Sequence, residues 1–234
     1  MARVIGMNRA VKLEWLNKSA DLVRQGYDDK TIRAELQDYL SFEIDSAVNL
    51  KNARTILLQT WVYTPAEHRG IRQEALALVE KGGVEALAGH WSMLLVTYPV
   101  FADVCGLIGK LSNIQDTFST TWLKERLFEI WGERGTLVHS VSRTLQTLRY
   151  LGVVETVKTG VFKIKTQALT SEKAIEVLLT AVLLLKEQAY YEISELSCVP
   201  KLFPFIFDVS HEWLHNVDVF TLNNFGGKVV LTTE

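Results

Sequence analysis

Residues 119–165 read STTWLKERLFEIWGERGTLVHSVSRTLQTLRYLGVVETVKTGVFKIK, and the order of signals within them decides the fold. Ser119 or Thr120 suits a helix cap, and Leu123, Leu127, Ile130 and Trp131 follow as one apolar stripe that stops at Gly132. A turn of Glu133, Arg134 and Gly135 leads to Thr136, a second cap. Leu137, Val141, Leu145 and Leu148 then recur at spacings of four, four and three, which predicts a helix with one buried face, ended by Gly152. Residues 153–157 and 161–165 are rich in β-branched and aromatic side chains, and Lys158-Thr159-Gly160 between them predicts a hairpin turn. Helix, glycine turn, helix and hairpin is the order of a winged helix-turn-helix.

Charge concentrates in the same stretch. Its eight basic side chains face four acidic ones, an excess of four positive charges, which leaves seventeen basic against twenty-three acidic elsewhere. Neutralising backbone phosphates supplies most of the non-specific affinity of proteins for DNA, so a basic segment in an acidic chain predicts a duplex-binding face. With the four apolar residues turned inward, the outer side of the second helix carries Thr136, His139, Ser140, Ser142, Arg143, Gln146, Thr147 and Arg149. Arginine pairs with guanine, glutamine with adenine, and serine or threonine with phosphate. Lys158 in the hairpin turn and Lys163 in the strand after it complete the expected set. An N-terminal arm of Arg3, Arg9, Lys12 and Lys18 offers further basic contacts. The plainer alternative is a solvated polar face, or a winged helix that docks a protein instead of DNA.

On the N-terminal side, apolar residues at helical spacing, caps at Asp28 or Asp29, and breaks at Gly26, Thr64-Pro65, Gly82-Gly83 and Tyr98-Pro99 predict six short helices packed as a bundle. On the C-terminal side a long apolar helix is expected from Thr170 or Ser171 to about Tyr191, then a helix near 207–214, then an irregular tail. The expected protein is thus mainly α, a helical bundle with a central winged helix-turn-helix and a small β-hairpin wing. Its parts are an N-terminal bundle (1–112), the winged module (113–168) and a C-terminal helical region (169–234).

Other classes of function find little support. The longest apolar run, 177–185, falls far short of the ~20 residues that span a bilayer, so no membrane partner is expected. Cys105 and Cys198 match no metal or redox spacing and read as two buried thiols of a cytoplasmic protein. No Gly-rich phosphate loop or nucleophile set is evident, and neither a cofactor nor an enzymatic activity is expected.

The sharpest rival is His211-Glu212-Trp213-Leu214-His215, which fits the zinc-hydrolase pattern H-E-x-x-H. On a helix both imidazoles share a face and Glu212 stands ready to activate a water. A third ligand has to come from Asp218 or Glu234, and no protease-like sheet precedes the motif. The expectation is therefore two surface histidines beside a packed Trp213, with no metal.

Several segments together resemble one known family. They are Arg54-Thr-Ile-Leu-Leu, Trp61, His90-Trp-Ser-Met-Leu-Leu-Val-Thr-Tyr-Pro-Val-Phe-Ala-Asp-Val, Ile108-Gly-Lys-Leu, Arg126-Leu-Phe-Glu-Ile-Trp-Gly-Glu-Arg, Arg143-Thr-Leu-Gln-Thr-Leu-Arg-Tyr-Leu-Gly-Val and Leu202-Phe-Pro-Phe. In these the chain resembles the BrxA family, small components of the BREX bacteriophage-exclusion systems, over roughly residues 10–215. The resemblance implies a DNA-binding accessory role in defence, with double-stranded DNA and other BREX proteins as partners, self-association left open, and no chemistry of its own. The tail after Val217 departs from the family, and the H-E-x-x-H match is not one of its features.

Overall fold

The computed structural model describes residues 6–232. α1 (Leu13–Arg24) buries Trp15, Leu16, Ala20 and Leu22. The Asp28 side chain accepts from the Thr31 N–H at 2.7 Å to start α2 (Asp29–Ser41), and Ser46 likewise caps α3 (Ala47–Trp61). α4 (Arg69–Lys81) ends at Gly82, whose φ of 76° suits a residue without a β-carbon, and α5 (Gly83–Thr97) begins at once. Pro99 opens α6 (Pro99–Ser112) in the first helical position, where its missing N–H costs nothing. The six helices expected in this part of the sequence are present.

The central stretch adds one element that the pattern did not reveal. β1 (Thr117–Ser119) is followed directly by α7 (Thr120–Trp131), with Ser119 ending the strand and capping the helix through the Trp122 N–H at 3.1 Å. A strand of three residues is too short to show alternation, so only its partner reveals it. Gly132 closes α7 and α8 (Gly135–Tyr150) follows, then β2 (Val154–Lys158) and β3 (Val161–Ile164). The three strands form an antiparallel sheet in the order β1-β3-β2, with Phe118 stacked on Phe162 at a centroid distance of 5.6 Å. Two expectations fail locally. Thr136 is not the cap of α8, since Arg134 takes the extended cap conformation and no side chain bonds the first turn. Ile130, counted in the buried stripe of α7, is 54% exposed; α7 meets the core through buried Leu123 and Leu127 and the half-buried Trp122, Phe128 and Trp131.

After β4 (Gln167–Ala168), α9 (Glu172–Leu184) stops well before Tyr191, with Lys186 at φ 53°. The chain then runs through β5 (Tyr190–Glu192), two 3-10 turns, β6 (Phe205–Ile206) and α10 (His211–His215). The tail is not irregular: β7 (Thr221–Phe225) and β8 (Lys228–Thr232) form a hairpin around Gly226-Gly227, both at positive φ, and β8 also pairs with β5. Two glycines between strand-length runs are a hairpin signal, here diluted by the polar face of β7. The fold is thus mainly α with small sheets.

One hydrophobic core runs from Met7 to Leu231. At its centre lies α5, buried continuously from Ala86 to Leu95 and packed against α4, α6 and α9. Trp91 ties the C-terminal segment to this centre. Its ring meets Phe101, Phe203 and Phe205 edge-on at 5.1–5.8 Å, and its Nε1–H donates to the Lys201 carbonyl at 3.0 Å. No single helix among the described residues is long and apolar enough to cross a membrane, and α5 and α6 meet at a bend of 117°.

Candidate nucleic-acid interface

α8 packs on α6, α7 and β2, and its apolar stripe of Leu137, Val141, Leu145 and Leu148 is buried as the spacing predicts. A second stripe is buried too. Ser140, Thr144 and Thr147 are 7%, 0% and 0% exposed, so Ser140 and Thr147 do not belong to the outer face. Residues 6–11 cover them. The Val11 N–H donates to Thr147 Oγ1 at 3.2 Å, and Gly6 lies so close to Ser140 Oγ that a β-carbon would not fit. Thr147 tolerates this burial because its hydroxyl also donates to the Arg143 carbonyl one turn back, at 3.0 Å. The polar pattern misled because small hydroxyl side chains suit a close backbone approach as well as they suit solvent.

The outer stripe is therefore narrower than expected: Thr136, His139, Ser142 and Arg149 are exposed, and Arg143 and Gln146 are half-buried. Arg143 donates to Gln146 Oε1 at 3.2 Å, and Gln146 Nε2–H donates to Tyr150 Oη at 2.8 Å, so these three side chains form one chain along the helix. The Ser142 hydroxyl is spent on the Val138 carbonyl at 3.0 Å.

Lys158 ends β2 and pairs in register with Val161 across the Thr159-Gly160 turn, where Gly160 supplies a φ of 75°. The ladder shifts between Thr156 and Lys158, and Val157 at that bulge is 57% exposed. Lys163 is exposed but lies 3.6 Å from Asp116.

Carboxylates consume part of the basic charge of the segment. Arg126 pairs with Glu129 at 2.7 Å, and Lys165 with Glu155 at 2.7 Å. Lys124, Arg134, Arg143, Arg149 and Lys158 have no ion-pair partner among the described residues. Arg134 escaped the sequence reading because it stands in the turn, outside the helical stripe. In the N-terminal arm, Lys18 pairs with Glu35 at 3.7 Å and Lys12 with Glu43, Arg9 has no ion-pair partner among the described residues, and Arg3 lies outside them. Glu43 also accepts from Trp15 Nε1–H at 3.1 Å, and these bonds hold Lys12 above and Glu43 below their ordinary pKa values.

Compared with family models, with curated proteins and with solved structures, the chain matches none. His211 and His215 are both exposed on a five-residue helix beside the half-buried Trp213, and Glu234 lies outside the described residues. Among the described residues no three His, Cys, Asp or Glu side chains converge as metal ligands. Cys105 is buried, which raises its thiol pKa well above the usual value, but Cys198 is exposed, contrary to expectation. It ends a 3-10 turn whose apolar contacts are made by Ile193 and Leu196.

Proposed function

We propose that the chain binds duplex DNA through β1, α7, α8, β2 and β3 acting as a winged helix-turn-helix. The outer stripe of α8 enters the major groove and the β2–β3 turn touches the neighbouring backbone. In line with its resemblance to the BrxA family, the chain then serves as a non-enzymatic component of a BREX system. One observation supports this most. The basic side chains of the segment that carboxylates leave free include Arg143 and Arg149 on the outer stripe and Lys158 at the hairpin turn. Free cations are the ones that can displace counterions from phosphate. Five of them meeting five phosphates give a slope of log K against log salt of about −4.5.

The test is a duplex titration at two salt concentrations with wild type and with Arg143→Glu, Lys158→Ala. The double variant is expected to lose at least ~1–3 kcal/mol of binding, the scale of a lost arginine contact. Undiminished binding by the folded double variant removes this reading and leaves a protein-docking role for the same face.

A further inference from the structure

We propose that the cavity between the start of α8 and residues 6–8 binds a nucleoside phosphate. Its volume is about 400 Å³, inside the range of roughly 300–1,000 Å³ typical of ligand pockets. Arg134, His139 and Arg143 line it, and among the described residues no Asp or Glu does. Two guanidinium groups and an imidazole gathered in one concavity without a counter-carboxylate are matched by an anion with several acceptor oxygens. The helix start reinforces the match. Arg134 is the cap of α8 and gives no side-chain bond to its first turn, so the amide end keeps its partial positive charge.

The wall also has an apolar part, formed by Trp131, Leu137 and Val100. The Trp131 indole is fixed there, because its Nε1–H donates to Asp103 Oδ2 at 2.8 Å and Asp103 in turn holds Lys201 at 3.1 Å. An indole in the wall offers a stacking surface for a flat base. A bare inorganic ion uses the cations and leaves the apolar half unfilled. A nucleoside phosphate uses both.

Two sources present this chemistry, a free mononucleotide and the 5′-phosphorylated end of a DNA strand. The inference does not depend on α8 entering a groove. Calorimetric titration of the full chain compares a nucleoside, inorganic phosphate, the matching nucleoside 5′-monophosphate, and blunt duplexes with and without a 5′-phosphate. Saturation at one 5′-phosphate ligand per chain is expected, with the nucleoside and inorganic phosphate each at least ~10-fold weaker. Tighter binding of the phosphorylated end than of the monophosphate assigns the site to strand ends, and the reverse assigns it to free nucleotide. Arg134→Ala and the exposed Thr136→Glu, which sets a negative charge at the mouth, each weaken this binding ~10-fold. Arg149→Ala and Lys158→Ala leave it unchanged while weakening duplex binding, so the two readings fail separately. No saturable binding of either 5′-phosphate ligand up to about 10 mM overturns the proposal. So does binding to Thr136→Glu equal to that of wild type.

Discussion

The backbone N–H of Val11 donates to the side chain of Thr147 at 3.2 Å, 136 positions away in sequence, and both residues are fully buried. This bond pins the N-terminal segment to the inner side of the helix that carries the candidate interface. Thr147→Val keeps the volume and removes the acceptor, leaving a buried N–H unpaired. A loss of ~1–3 kcal/mol of stability is expected in urea denaturation, with duplex affinity unchanged because Thr147 does not reach the surface. A weakened duplex affinity in the folded variant would return Thr147 to the interface.

The cations of the outer stripe and the hairpin turn should separate by salt dependence. Arg149→Ala and Lys158→Ala each remove a side chain free of any ion pair among the described residues, so neither leaves a carboxylate unpaired. Each is expected to flatten the salt slope by about one unit, and Lys158→Ala, at the backbone, to weaken all duplex sequences alike. Lys165→Ala, which breaks a pair with Glu155 already satisfied at 2.7 Å, should change the slope less. An equal effect of all three would show that the ion pairs do not partition the basic charge.

α6 and the 3-10 turn after Val199 touch at Gly109, where an added β-carbon meets the backbone carbonyl of Pro200. Backbone cannot swing away as a side chain can. Gly109→Ala is expected to cost ~1–3 kcal/mol, read as a lowered melting temperature, despite the better helix propensity of alanine. Gly70→Ala, with open space around the same atom, is the control and should not destabilise. A melting temperature for Gly109→Ala equal to that of wild type would mean that the two elements are not in contact.

His90 is wholly buried beside Trp61, and its Nε2–H donates to Asn17 Oδ1 at 2.7 Å. Burial pushes its pKa from 6.5 down to about 3. The folded state therefore keeps this imidazole neutral while the unfolded chain takes up a proton. Stability from this group is intact above pH 6.5 and is lost as pH falls toward 3. The expected slope is about 1.4 kcal/mol per pH unit well below the unfolded pKa. Denaturation curves of wild type and His90→Gln across that window check it, and an unaltered slope in the variant refutes the assignment.

Local signals were legible in the chain by itself. Asp28, Ser119 and Ser171 cap the helices that follow them, Gly82 and Gly132 end theirs, and Pro99 starts one. Each acts within one turn of backbone, so sequence neighbours suffice to determine it. The order helix, turn, helix and hairpin in 119–165, and the excess of basic charge there, needed no tertiary information either. Only the folded chain decided which of those polar side chains face water. Ser140 and Thr147 sit on the polar side of α8 by periodicity, yet residues 6–11, more than a hundred positions away, lie over them. Only the folded chain decided which cations remain free, because Lys12 and Glu43, or Lys163 and Asp116, meet through space. β1 and β5 likewise exist through partners on β3 and β8, since a strand of three residues gains its hydrogen bonds wholly from another strand. Caps, breaks and periodicity are short-range properties of a chain; burial, ion pairing and strand pairing belong to whatever folds against it.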